Sequence, residues 1–135
     1  MALRIRESLD TNIILRLMLD DVPDQCRRLQ DLLMRANIEY HVADLAITEA
    51  VYVMESNYRL SREKIVGGIQ KLLLFPGVNY NQELFRWVFP MYLAHSALSF
   101  NDCCLAAYAA LNEAEPLWTF DQVLAKQSGT AKLLA

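Results

Sequence analysis

Short strand-like segments alternate with helical ones along the whole chain, and acidic residues stand at several of the junctions. This alternation limits the possible folds more than any other feature. Parallel strands need a crossover of a dozen or more residues between them, usually a helix. An alternating chain therefore implies an α/β fold, with a parallel sheet and helices on both faces. Ile13, Ile14, Leu17 and Met18 recur at helical spacing after Asp10, and Cys26, Leu29, Leu32 and Leu33 mark a second helix running to about Ala36. Ile38 to Val42 is a short strand, and AITEAVYVMESNY opens another helix. Ser61 is the N-cap of SREKIVGGIQKLLLF. Gly67 and Gly68 within that helix imply a bend or a close helix contact, because no Gly-rich turn with a P-loop lysine follows a strand here. A turn and short strand in PGVNYN lead to a helix capped by Asn81 and bent at Pro90. SFNDCCLAAYAALNEAE is a cap and an Ala-rich helix, and PLWTFD is an apolar strand. QVLAKQSG is a short helix closed by Gly129, and TAKLLA is a final edge strand.

Four acids share one position in this pattern. Asp10 ends a strand-like segment before a helix, Glu49 and Asp102 sit at or near helix starts, and Asp121 ends the last apolar strand before a helix. In an open parallel sheet the carboxyl ends of the strands line one edge, and ligands bind in the crevice there. Taken singly, each acid is explained as a cap for a helix N-terminus. Together they make a different demand. Two carboxylates ~4 Å apart repel by about 4 kcal/mol at an effective dielectric near 20, so a cluster needs protons or a cation. Carboxylates are hard donors suited to Mg2+ or Mn2+. Thr11, Asn12, Thr48, Asn101 and Thr119 stand within two residues of these acids and can orient ligands or water, or simply cap helices. Arg16 lies one helical turn from Asn12 on the same face, which makes it either a contact for a phosphate backbone or an ordinary solvated arginine.

Other chemistries fit less well. His41 and His95 have no spaced partners for zinc or for a Ser/His/Asp triad. Cys26, Cys103 and Cys104 are odd in number and lack ligand spacing, so they read as small buried hydrophobes in a reducing cytoplasm. No signal peptide or spanning segment is visible, and the expectation is a cytoplasmic protein without membrane contact. A formal net charge of −3 argues against a generic nucleic-acid coat protein. It leaves room for an enzyme acting on nucleic acid, since catalytic acids lower the charge and bound cations offset it locally. A length of 135 residues with 54% hydrophobic residues and no linker implies one domain, 1–135.

The chain resembles the PIN-domain family and, within it, the VapC-type toxins of toxin–antitoxin pairs. LDTNIILRLML, ITEAVYVM, FNDCCLAAYA and LWTFDQVL carry the resemblance, in family order and over essentially the whole length. The resemblance implies a three-layer α/β/α sandwich on a mostly parallel sheet. It also implies Mg2+- or Mn2+-dependent endoribonuclease cleavage, and a homodimer blocked by a small antitoxin protein. Asp10, Glu49, Asp102 and Asp121 match the family's acidic quartet, catalytic and metal-binding. Thr119 matches its Thr-x-Asp element, and Asn12 the polar residue after the first Asp. The preference for an RNA substrate over DNA rests on this resemblance alone. A role in RNA maturation and a non-catalytic binding module are the competing readings. The chain departs from the family in its first strand, LRIRESLD, where Arg4, Arg6, Glu7 and Ser8 replace the usual apolar run.

Overall fold

The computed structural model describes residues 5–19 and 21–134. The chain divides into two compact units, Met1–Asn81 and Gln82–Ala135. In chain order the first holds β1 (Ile5–Leu9), α1 (Thr11–Leu19), α2 (Pro23–Leu33), β2 (Ile38–Val42), α3 (Asp44–Ser56), α4 (Arg62–Leu73) and β3 (Val78–Asn79). The second holds α5 (Gln82–Ala94), α6 (Phe100–Leu111), β4 (Leu117–Thr119), α7 (Gln122–Gln127) and β5 (Ala131–Leu133). Every strand pairing is parallel, as expected for an α/β chain of the expected class. The described strands form two sheets rather than one, β1-β2-β3 in the first unit and β4-β5 in the second.

The polar first strand has a structural explanation. β1 is an edge strand of its sheet and pairs in register with β2, from Ile5 opposite Ile38 to Leu9 opposite Val42. Side chains alternate faces along a strand. Arg6, Ser8, Glu39, His41 and Asn79 therefore share one face, on which Glu39 accepts a hydrogen bond from Asn79 (2.7 Å) and pairs with Arg6 (3.1 Å). His41 Nε2 lies 3.2 Å from Glu39 as well. Asn79, His41 and Arg6 hold the Glu39 carboxyl below its ordinary range. The opposite face carries Leu9, Tyr40, Val42 and Val78, all buried. Arg4 of the expected strand lies outside the described residues.

The helices of the first unit bury Ile14, Leu29, Ala50, Met54, Ile65 and Ile69. Pro23 opens α2, where its missing N–H costs nothing. Ser61 caps α4 by accepting from the Lys64 N–H, as its sequence position predicts. The two glycines of α4 differ. A Cβ on Gly68 would press on the end of the Met18 side chain, so α1 and α4 approach closely there, whereas a Cβ on Gly67 would meet nothing within 4 Å.

In the second unit, α5 and α6 pack through Phe85, Phe89, Tyr92 and Phe100. Tyr92 meets Phe100 edge-on at 5.1 Å, a favoured arrangement of ring quadrupoles. The alanines of α6 at 106, 107 and 109 are buried. Pro90 stands inside α5, as its place in the sequence requires. Gly129 does not close α7 in a left-handed conformation. Ser128 is the C-cap, extended, and among the described residues no glycine has a positive φ. No helix of the described residues is long and apolar enough to cross a membrane.

Gly77 approaches the sheet so closely that an added Cβ would lie 2.9 Å from the Ile38 carbonyl oxygen, and its own carbonyl accepts from the Tyr40 N–H. Backbone cannot yield as a flexible side chain can. Gly77→Ala is expected to destabilise the protein by about 1–3 kcal/mol, as overpacking does. Gly67→Ala is expected to stabilise it by about 0.5–1 kcal/mol, the ordinary helix preference of alanine. Urea unfolding of the two variants beside the parent checks both signs.

Candidate functional site

Parallel pairing sets Leu9 beside Val42, so β1 and β2 end together and α1 and α3 begin from the same edge of the sheet. Asp10 fills the single position between β1 and α1. Its Oδ1 accepts from the Ile13 N–H at 3.1 Å, which makes Asp10 itself the cap of α1. Neither Thr11 nor Asn12 does that work. Asp10 Oδ2 makes no hydrogen bond among the described residues, and the residue is exposed.

Thr11 has a different task. Its hydroxyl donates to Glu49 Oε2 at 2.8 Å, across 38 positions of sequence. Glu49 is not at a helix start as expected, because α3 begins at Asp44 and places Glu49 in its second turn. A capping role is therefore closed to it. Its carboxylate is fixed instead beside the first residue of α1, where the positive end of the helix stabilises negative charge. Two carboxylates, each with one oxygen uncommitted, thus flank Thr11. Asp44 at the true start of α3 accepts from the Asn81 amide at 3.2 Å. Thr48 turns its hydroxyl back onto the Leu45 carbonyl of its own helix, so it supports α3 rather than a ligand.

Arg16 is neither free nor simply solvated. Its guanidinium sits 2.6 Å from Asp21 Oδ1, and the Cys26 thiol donates to its carbonyl. The bond to Asp21 raises the Arg16 pKa, and the same bond lowers that of Asp21. Arg16, Asn12, Asp10 and Ile13 line one wall of a cavity of about 760 Å3, and Gln25, Arg28, Leu29 and Leu32 of α2 line the other. Sequence reasoning missed Arg28 and Gln25. The signal was present in their spacing, since 25, 28, 29 and 32 fall on one helix face.

In the second unit the two acids have distinct local roles. Asp121 caps α7, its Oδ1 accepting from the Val123 and Leu124 N–H groups at 2.9 and 3.1 Å. Thr119 Oγ1 accepts from the Asp121 N–H at 2.9 Å, so the Thr-x-Asp element is a local turn that aims the carboxylate. Asp102 lies in the first turn of α6, whose cap is Ser99, not Asn101. The Asp102 side chain is thereby released from capping. His95 Nδ1 meets Gln127 Oε1 at 3.3 Å, a structural contact. The three cysteines are buried and form no disulfide.

Among the described residues no three His, Cys, Asp or Glu side chains stand close enough together to hold a metal ion. Mg2+ is commonly held by one or two carboxylates and otherwise by water and substrate phosphates. Asp10 and Glu49 offer donors of that kind.

The sequence profile of the PIN domain family matches residues 8–129. The chain belongs to the PIN domain family. No curated protein matches it at a significant level. Among solved structures it is similar to VapBC2 from Rickettsia felis bound to a DNA fragment from their promoter. The identity is 16%, with 96% of this chain and 98% of that chain covered at a TM-score of 0.40.

Asparagine caps a helix as well as aspartate does, whereas alanine does not. Asp10→Asn is therefore expected to unfold within about 0.5 kcal/mol of the parent, and Asp10→Ala about 1 kcal/mol earlier. Thermal and urea unfolding distinguish the two, and equal losses in both variants would refute the capping assignment.

Proposed function

We propose that this single PIN domain is a Mg2+- or Mn2+-dependent endoribonuclease, the toxin of a toxin–antitoxin pair. The observation that carries the reading is the junction at Thr11, where a PIN-family chain holds Asp10 and Glu49 with one uncommitted oxygen each. PIN domains are nucleases, and this pair supplies the donors such chemistry needs.

Asp10 and Glu49 would hold the ion, and their match to the family's acidic positions assigns Asp102 and Asp121 the same task. A divalent ion there supplies an acidified water as nucleophile and offsets charge on the phosphoryl group. The protein's own part is positioning. The Ile13 N–H fixes one Asp10 oxygen and so aims the other, and the Thr11 hydroxyl does the same for Glu49. Thr119 orients Asp121 through its backbone. Asn12, exposed at the same helix end, is placed to bond a phosphate or a water.

RNA as the substrate, a homodimeric state and a small antitoxin protein as inhibitor follow from the resemblance of the four motifs to VapC-type toxins. Three buried cysteines without a disulfide suit a reducing cytoplasm.

Purified protein is expected to cleave RNA with Mg2+ or Mn2+ and to stop when EDTA is added. Asp10→Asn, which keeps the helix cap, is expected to lose at least about a hundredfold of the rate, the upper end of what loss of a metal-supporting group costs. Gel analysis of a defined RNA checks this. Cleavage unchanged by EDTA and by the variant would sink the metal mechanism, and it would also reveal a contaminating ribonuclease.

A further inference from the structure

The cavity between α1 and α2 begins at Asp10 and runs past two arginines that are not equivalent. Arg16 already has a carboxylate partner, Asp21, at 2.6 Å. Arg28, exposed on the facing wall, has no ion pair or hydrogen bond among the described residues. Between the walls the floor is apolar, built from Ile13, Val22, Leu29 and Leu32, and Gln25 adds a polar edge. At about 760 Å3 the space falls within the range of small-ligand sites. An unpaired guanidinium, an apolar floor and an amide edge match the three parts of a nucleotide. These are its phosphate, the face of its base and the hydrogen-bonding rim of that base.

We propose that this groove is a nucleotide subsite, in which Arg28 binds a backbone phosphate of single-stranded RNA next to the bond cut at Asp10, while the base lies on Ile13, Leu29 and Leu32. The assignment rests on the nuclease reading for which bond is cut, but binding in the groove does not require cleavage. It moves the phosphate contact from Arg16 to Arg28. Arg16 is held by Asp21 as part of the wall, whereas Arg28 has no ion-pair partner among the described residues. A guanidinium also presents a planar donor fork that fits phosphate oxygens, which a lysine at this place would not. The occupant is a nucleic-acid strand rather than an acidic peptide, because the groove opens at Asp10, where the bond is cut, and sets a guanidinium beside an apolar floor, the pairing that a phosphate with its adjoining base requires.

The test is binding of a short fluorescein-labelled single-stranded RNA, followed by anisotropy in EDTA over a series of salt concentrations. The variants are Arg28→Gln and Arg27→Gln, the latter removing an equal charge from the neighbouring exposed position that does not line the groove. Arg28→Gln is expected to weaken binding about five- to tenfold and to lower the slope of log affinity against log salt by about 0.7, the share of one phosphate contact on a single strand. Arg27→Gln is expected to stay within about twofold of the parent. Equal losses in both variants, no loss in either, or no RNA binding by the parent overturn the proposal. Retained binding without metal-dependent cleavage defeats the nuclease reading and leaves the subsite standing.

Discussion

Everything at the candidate site depends on the five-residue parallel register of β1 on β2. Antiparallel strands would put the ends of β1 and β2 at opposite edges of the sheet. Parallel pairing puts Leu9 beside Val42, so the helices that follow start at one edge. Only then can a hydroxyl at residue 11 reach a carboxylate at residue 49. The register is itself protected by burial. A slip of β1 by one residue would turn Leu9 to the polar face and bring Arg6 and Ser8 onto the apolar face beside Tyr40 and Val42. The pairing that builds the apolar core therefore also sets the spacing of the acids, and selection on one acts on the other.

Capping and ligand binding are often treated as rival roles for an acid at a helix start. Asp10 shows how they cooperate. A carboxylate has two oxygens, and a helix N-terminus consumes one of them. The bond to the Ile13 N–H restricts the side chain's rotation and leaves one oxygen aimed outward, which would lower the entropy lost on binding a cation under the proposed function. Asp121 uses the same device with two N–H donors, and Thr119 adds a third constraint from behind. Glu49 has no helix end to lean on and needs Thr11 instead. Three acids reach a fixed orientation by two different routes, and in each the partner is backbone or a short hydroxyl, groups that hold their place.

Much of this was legible in the sequence, and the limits have physical causes. β2 was visible residue for residue, because Ile38, Tyr40 and Val42 alternate with polar neighbours, and Ser61 and Ser99 lie where capping serines belong. The start of α3 was misplaced because Ala43 caps it with no side-chain bond, leaving no signal to find. That shift moved Glu49 out of the first turn. The first strand looked wrong for a central strand since it is an edge strand with one polar face. Gly129 suggested a left-handed helix end, but the chain leaves α7 in an extended conformation at Ser128. Contacts such as Thr11 with Glu49, or Arg16 with Asp21 across a loop, depend on where elements meet, and no local pattern encodes them.

The charge distribution follows from the same site. A chain of net charge −3 that handles a polyanion must gain attraction locally, because its long-range field repels. The acids at the strand ends make the repulsion worst where the phosphodiester has to lie. A divalent ion held there would reverse the sign at that point, but it would act over a short distance in salt water, within about 8–10 Å at physiological ionic strength. Any further grip on the strand must come from cations a nucleotide or so away. In the proposed subsite that cation would be Arg28 on the wall of α2, since Arg16 is already paired with Asp21. An arginine free beside Asp10 would compete with a metal ion for the open carboxylate oxygen. With Arg16 bound to Asp21 that competition would not arise at a metal held by Asp10, although the exposed ion pair itself contributes little to stability.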